Sequence, residues 1–268
     1  LHKKDGTAKE HININSGNII KINQQTRDIG KTIIQFSRRA GGMIVNGDIY
    51  TWGNNANKIT GIDKDYSGNT VSNRYPVITG LVRLRAKMYD DDSTDGKDFT
   101  KYYDQNYFSS PNRPKFIDFF SAVYYGTCGI STKGELYCGG TEGINYSFGN
   151  NFTHIDSIGK GEMLYRSTFF DGKTNKALKV FANNQIWHIL DKNGILYRWG
   201  FDWSGFSGNG SIYYNGNNYG PSDTSKNPEQ VSTIKFMDIT YLLTIGHRKI
   251  GGLSNIGDIY IWGVENYN

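Results

Sequence analysis

An all-β repeat array is the fold class this sequence predicts. Three observations lead there: one short segment that occurs four times, matched apolar pairs around each copy, and a composition rich in aromatics and glycine. The copies are Asn46-Gly47-Asp48-Ile49-Tyr50-Thr51-Trp52-Gly53, Lys133-Gly134-Glu135-Leu136-Tyr137-Cys138-Gly139-Gly140, Asn193-Gly194-Ile195-Leu196-Tyr197-Arg198-Trp199-Gly200 and Ile256-Gly257-Asp258-Ile259-Tyr260-Ile261-Trp262-Gly263. Self-similarity at intervals of many tens of residues marks a propeller, a solenoid or another array.

The leading glycine of each copy sits between apolar runs, which makes it the turn of a hairpin. A three-residue loop ending in a left-handed glycine opposes Met43 to Ile49, Ile130 to Leu136, Leu190 to Leu196 and Leu253 to Ile259, apolar on both sides every time. A two-residue loop would oppose Ile44, Ser131, Asp191 and Ser254 to the same partners. One residue of slip turns every side chain to the other face, so the first register is expected throughout. In the outgoing strand Tyr and Trp share one face, and Ile or Leu takes the other. Neither face is polar, so the strand is expected to pack on both sides, as in stacked blades.

Composition agrees. The 268-residue chain is long enough for one large all-β domain with a sizeable core. Aromatics at 14%, with 33 glycines against 5 prolines, suit short strands joined by glycine turns. No stretch long enough to span a bilayer is apolar throughout. The net charge is +5 with both signs interleaved, and the nearest basic cluster, Arg83 to Lys87, runs into Asp90, Asp91 and Asp92. That cluster reads as a solvated charged loop rather than the basic face a nucleic-acid binder needs. The sequence begins at Leu1 without a secretory leader pattern, which reads as a processed product or a piece of a larger chain or assembly. Abundant Asn, Ile, Lys and Tyr with little Ala point to an AT-rich bacterial genome.

Residues 1–30 alternate from His11 to Asn15 and again from Asn18 to Ile22, an N-terminal arm or extra hairpin ahead of a repeat domain at 31–268. Unit one has its inner strand near Thr32 to Phe36, followed by the hairpin at Gly47. An insertion at 81–110 carries an acidic block from Asp90 to Asp98 and the tyrosines Tyr102, Tyr103 and Tyr107; loops that long are uncommon unless functional. Pro114 to Phe120 opens unit two, Ala177 to Ala182 unit three, and Ile234 to Ile239 unit four. Residues 201–220 form a loop rich in Gly, Asn and aromatics. No helical periodicity of useful length occurs.

The pattern Pro-x-x-Val, a short apolar strand, then Gly-apolar-x-x-x-Gly-x-apolar-Tyr-x-Trp-Gly is carried best by 42–53, 129–140 and 252–263. It resembles the RCC1 repeat (regulator of chromosome condensation), over roughly 31–268. The tail from Trp199 to Gly205 also resembles that family's extension. The resemblance implies blades of a β-propeller. The family usually has seven blades; four clear units with room for a fifth imply an incomplete or atypically closed ring.

Cys128 and Cys138, the only cysteines, fall directly opposite each other in the derived register, where Cα atoms lie about 4.5–5.5 Å apart. That is within reach of a disulfide, with two buried thiols as the alternative. Oxidised, the pair places the chain outside the cytoplasm. Asp91-x-Ser93-x-Asp95-Gly96 has the first half of a calcium loop, but Tyr102 stands where the twelfth-position Glu belongs, so no metal is expected. The five histidines are scattered, and His188 beside Trp187 reads as a packed blade residue. Gly205-Phe206-Ser207-Gly208 lacks the spacing of a nucleophile elbow. No catalytic residue and no cofactor is assigned.

Recognition is assigned instead to Phe201, Trp203, Phe206, Tyr213, Tyr214 and Tyr219 of the aromatic loop, and to Tyr102 and Tyr103 of the insertion. Rigid aromatics among Gly, Ser and Asn give contact area at low entropic cost; Phe201 and Trp203 read equally well as caps on a blade stack. The expectation is a non-enzymatic binding or structural module of a bacterial surface or secreted protein, adhesive in role, taking a protein or glycan at blade-edge loops. Neither a nucleic-acid partner nor a membrane span is expected. The resemblance leaves two other roles open: nucleotide exchange on a small GTPase, and inhibition of an enzyme by a secreted propeller.

Overall fold

The computed structural model describes residues 33–36, 40–54, 77–87, 108–122, 126–139, 163–183, 186–202, 223–244 and 247–265. Among them the chain lays down four sheets in order. The first runs β1 (Ile33–Phe36), β2 (Ala40–Val45), β3 (Asp48–Asn54) and β4 (Val77–Arg83). The second holds β5 (Arg85–Lys87), β6 (Phe116–Ala122), β7 (Gly126–Ser131), β8 (Leu136–Gly139) and β9 (Met163–Arg166). Within it β6 to β9 form an antiparallel meander, and β5 adds in parallel to β9. The third is β10 (Ala177–Asn183), β11 (Ile186–Asp191), β12 (Leu196–Asp202) and β13 (Asp223–Gln230); the fourth is β14 (Phe236–Thr244), β15 (His247–Ser254) and β16 (Ile259–Glu265). One glycine hairpin falls in each sheet, so each repeat is a blade.

Three hairpins take the expected register, with Ile130 opposite Leu136, Leu190 opposite Leu196 and Leu253 opposite Ile259. Their loops close alike. The amides of Gly134, Gly194 and Gly257 donate to the carbonyls of Ser131, Asp191 and Ser254. The side chain of that strand-ending residue then accepts the amide just past the glycine: Ser131 Oγ from Glu135 at 3.2 Å, Asp191 Oδ1 from Ile195 at 2.9 Å, Ser254 Oγ from Asp258 at 3.0 Å. The glycines lie at φ of +74°, +82° and +97°, where a Cβ is disfavoured.

Unit one departs from the expectation. Ile44, not Met43, faces Ile49, and Val45 faces Asp48 across a two-residue turn. The reason lies at the position of Ser131, where unit one has Ile44 and so no oxygen to hold the longer loop. Asn46 and Gly47 both take positive φ, 51° and 77°, which is the pairing a type I′ turn favours. Ile44 thereby gains the apolar partner that Ile130, Leu190 and Leu253 have.

The core lies between blades. Ile49, Leu136 and Leu196 face forward, toward the next blade, while Phe119, Val180 and Ile239 face back. Ile49 clusters with Phe119, Leu136 with Val180, and Leu196 with Ile239, and all six are at most 1% exposed. Each such side chain contributes about 1.5–3 kcal/mol on burial. Tyr137 fills the backward face of β8, edge-on to Phe116 at 5.5 Å. The outgoing strand therefore packs on both sides, as its residues implied.

Backbone hydrogen bonds repeat at each junction. The turn-glycine carbonyl accepts the first amide of the following blade: Gly47 from Phe116 at 2.8 Å, Gly134 from Ala177 at 2.9 Å, Gly194 from Phe236 at 2.8 Å. The lysine just before that amide offers its own carbonyl to the next turn, Lys115 to Thr132, Lys176 to Lys192 and Lys235 to Asn255. The turns are thus chained together along one edge of the array. The approach is close: a Cβ on Gly134 would stand 2.4 Å from the Lys176 Cβ, and one on Gly194 2.7 Å from the Phe236 carbonyl oxygen.

Two segments expected to be loops are partly strand. Arg83 to Lys87 is not a solvated loop, because Leu84 and Ala86 alternate with the charged residues and are buried. That alternation is a strand signal, and the segment ends β4 and forms β5. Of the insertion placed at 81–110, residues 81–87 therefore belong to β4, β5 and the residue between them, and residues 88–107 lie outside the described residues. Of the aromatic loop placed at 201–220, Phe201 and Asp202 are strand, paired with Thr224 and Asp223. The arm at 1–30 lies outside the described residues.

Candidate recognition surface

The blades have two unlike edges. At one, the glycine turns are pinned to the following blade. At the other, β3 and β4 part after Asn54 and rejoin at Val77, β8 and β9 part after Gly139 and rejoin at Met163, and β12 and β13 part after Asp202 and rejoin at Asp223. The strands β3, β8 and β12 all run away from their glycine turns, so these three long connections leave from one side of the array. The residues 203–222 that join β12 to β13 lie outside the described residues. Phe201 stands at their root, its backbone opposite Thr224. Trp203, Phe206, Tyr213, Tyr214, Tyr219, Tyr102 and Tyr103, with the half calcium loop at Asp91, lie outside the described residues.

Cys128 and Cys138 are joined by a disulfide from directly opposite positions, their Cα atoms 4.1 Å apart. The bond is fully buried between the second and third blades. His188 is packed as expected, stacked on Phe181 with ring centroids 4.8 Å apart, and Trp187 lies on Trp199 at 5.9 Å.

An ionic network at the first junction is absent from the sequence-based expectations. Asp48, buried just past its turn glycine, pairs with Arg83 at 2.5 Å, with Arg113, and with Lys115 at 3.7 Å. The Arg83 guanidinium also lies over the Phe108 ring at 4.0 Å. Burial pulls the Lys115 ammonium below the usual lysine range, and the charges of Arg113 and Arg83 push the same way. The same repeat positions return at the second junction, where Glu135 meets Arg166 at 3.1 Å and Arg166 also meets Asp171 at 2.5 Å. At the third they hold Ile195 and Gln230, without charge. Counting from each turn glycine would have found the first two pairs: an acid follows Gly47 and Gly134, and an arginine ends β4 and β9.

Nearby, the Lys173 ammonium caps an aromatic cluster, 3.1 Å from the Phe169 centroid and 5.7 Å from that of Tyr197. Burial raises the Tyr197 phenol, and the charge of Asp191 adds to it. These groups serve structure: Asp48 and Glu135 neutralise arginines, and Asp191 caps its turn. Among the described residues no three His, Cys, Asp or Glu side chains gather for a metal ion. No described helix is long and apolar enough to cross a membrane.

No protein-family model matches the sequence, and no curated protein does. Solved structures match in fold. Human WBSCR16 is 16% identical, with a TM-score of 0.52 over 87% of this chain and 48% of that one. Prp20p of Saccharomyces cerevisiae, studied for its binding to Gsp1p and histones, is 13% identical, with a TM-score of 0.47 over 88% and 44%. Yeast RCC1 (Prp20) bound to Kap60 is 12% identical, with a TM-score of 0.49 over 86% and 41%. This chain spans less than half the length of each. At such identities the likeness is one of architecture. The blades, their chained glycine turns and the match to WBSCR16 together give this chain an RCC1-like β-propeller repeat fold.

Proposed function

We propose that the chain is a non-enzymatic binding module of a bacterial surface or secreted protein, taking a protein or glycan on the loop side of its blades. The observation that carries this reading is the division between the two edges. The glycine-turn edge is committed to holding blades together by backbone hydrogen bonds. The three long connections leave from the opposite side, where sequence can vary without disturbing the core. The aromatic segment after Asp202 is one of them, and its Tyr and Trp among Gly and Asn suit adaptable contact. The buried disulfide supports an oxidising compartment, since such bonds rarely persist in a reducing cytoplasm.

The test begins with glycan arrays and panels of immobilised proteins probed with the purified chain. The triple variant Tyr213→Ala, Tyr214→Ala, Tyr219→Ala is then compared on whatever ligand is found. Its melting temperature should stay nearly unchanged, as for exposed side chains. Its affinity should fall by about 2 kcal/mol or more, roughly thirtyfold, if one of the three is an interface hot spot. Normal binding by a triple variant that melts many degrees lower would make these tyrosines packing residues and end the proposal. The compartment is tested separately by labelling thiols in the natively produced chain under denaturing, non-reducing conditions. None should react; two free thiols would remove the case for an extracytoplasmic home.

A further inference from the structure

The three junctions share one rule, and the two outermost faces are its unused halves. Counted from the turn glycine, Ile49, Leu136, Leu196 and Ile259 occupy a single repeat position. The first three are buried against the following blade, whereas Ile259 is 75% exposed. On the backward side, Ile34 pairs with Met43 as Phe119 does with Gly129, Val180 with Ile189 and Ile239 with Gly252. Those last three inner-strand residues are buried against the preceding blade, whereas Ile34 is 55% exposed.

Their neighbours follow suit. Phe36, 73% exposed and edge-on to Trp52 at 6.0 Å, extends the open backward face of the first blade. Ile261 extends the open forward face of the fourth, with Ile256 in the turn beside it. Ile34, Phe36, Ile256, Ile259 and Ile261, the large apolar side chains seen exposed among those whose burial is described, all belong to these two places. The turns agree. A Cβ on Gly47, Gly134 or Gly194 would run into the next blade, but at Gly257 nothing lies within 4 Å.

We infer that two copies of this chain associate head to tail, the forward face of the fourth blade of one receiving the backward face of the first blade of the other. Ile259 then meets Ile34 across copies as Leu136 meets Val180 within one. The occupant is a second copy because the two faces are opposite halves of the same repeat. A forward face offers a turn carbonyl and a β-branched or leucine knob; a backward face offers the inner-strand residue that covers it. Charge supports one half of the match: Asp258 follows Gly257 as Asp48, the acid that Lys115 of the next blade approaches, follows Gly47. Such a contact is heterologous, joining unlike surfaces of identical chains.

The experiment uses two single-cysteine variants of the full chain, Ile34→Cys and Ile259→Cys, mixed under mild oxidation. A disulfide-linked dimer should form in the mixture and in neither variant alone. Sedimentation of the wild type should show mass rising with concentration, and Ile259→Glu should abolish that rise without moving the unfolding midpoint. Ile34→Glu should do the same from the other face. Cross-linking as strong within one variant alone, a chain carrying both cysteines that closes on itself, or a wild type that stays monomeric at every concentration reached would each overturn the inference.

Discussion

Asp48→Ala is expected to lower the unfolding free energy by about 3–5 kcal/mol, the range for breaking a buried ion pair from one side. Asp48 is the carboxylate on which Arg83, Arg113 and Lys115 converge, and the Arg113 side chain is only 7% exposed. Removing the acid strands a guanidinium between two other cations with little water to screen it. A chain of marginal stability loses much of its margin that way. The exposed pair at the third junction is the control: Lys179 meets Asp238 at 2.7 Å, but the Asp238 side chain is 45% exposed. Breaking such a pair costs about 0–1 kcal/mol. Adding Arg113→Leu to Asp48→Ala should recover most of the loss, because an apolar side chain there has no charge to leave unpaired. Urea unfolding measures all of these; a loss below about 1 kcal/mol for Asp48→Ala would mean that water reaches the network.

Leu136→Ala should cost about 2–5 kcal/mol, while Ile259→Ala should stay within about 0.5 kcal/mol. The two residues hold the same repeat position, and only the first has a further blade to pack on. Leu136 is buried in one apolar cluster with Val180 of the third blade, and Ile259 faces outward. The comparison belongs at a concentration low enough to keep the chain monomeric, so that association does not add to the reading. Equal costs at the two positions would mean that each blade is stabilised within its own sheet and not by its neighbour.

Much of this architecture is legible in single residues. Apolar partners on both sides of Gly134, Gly194 and Gly257 announce the hairpins and their register, and the opposition of Cys128 to Cys138 comes with it. The first hairpin differs because one loop type does not serve all four copies. The oxygen of Ser131, Asp191 and Ser254 selects the longer loop, and Ile44 has none to offer. At Arg83 to Lys87 the charges suggest a loop, but alternation outweighs them: Leu84 and Ala86 mark the buried side of a strand. The Asp48 network is hidden for another reason. Its arginines lie 35 and 65 residues away; strand pairing within the first blade brings in Arg83, and the stacking of the second blade brings in Arg113. Of the recognition residues, Phe201 lies within β12, one residue before its end, held there by its ladder to Thr224 and not by composition.

The strand β5 has a mechanical consequence. One stretch of chain, interrupted only at Leu84, serves as the outermost strand of the first blade and then as an added strand on the rim of the second. Those two blades are therefore tied at the perimeter as well as through their apolar junction. A load that parts them must shear the ladder of Arg85 with Met163, Ala86 with Leu164 and Lys87 with Tyr165 while it opens the packing of Ile49 on Phe119. No strand crosses the other two junctions in this way among the described residues. The first pair of blades acts as a strut, and bending of the array is directed to the joints on either side of the third.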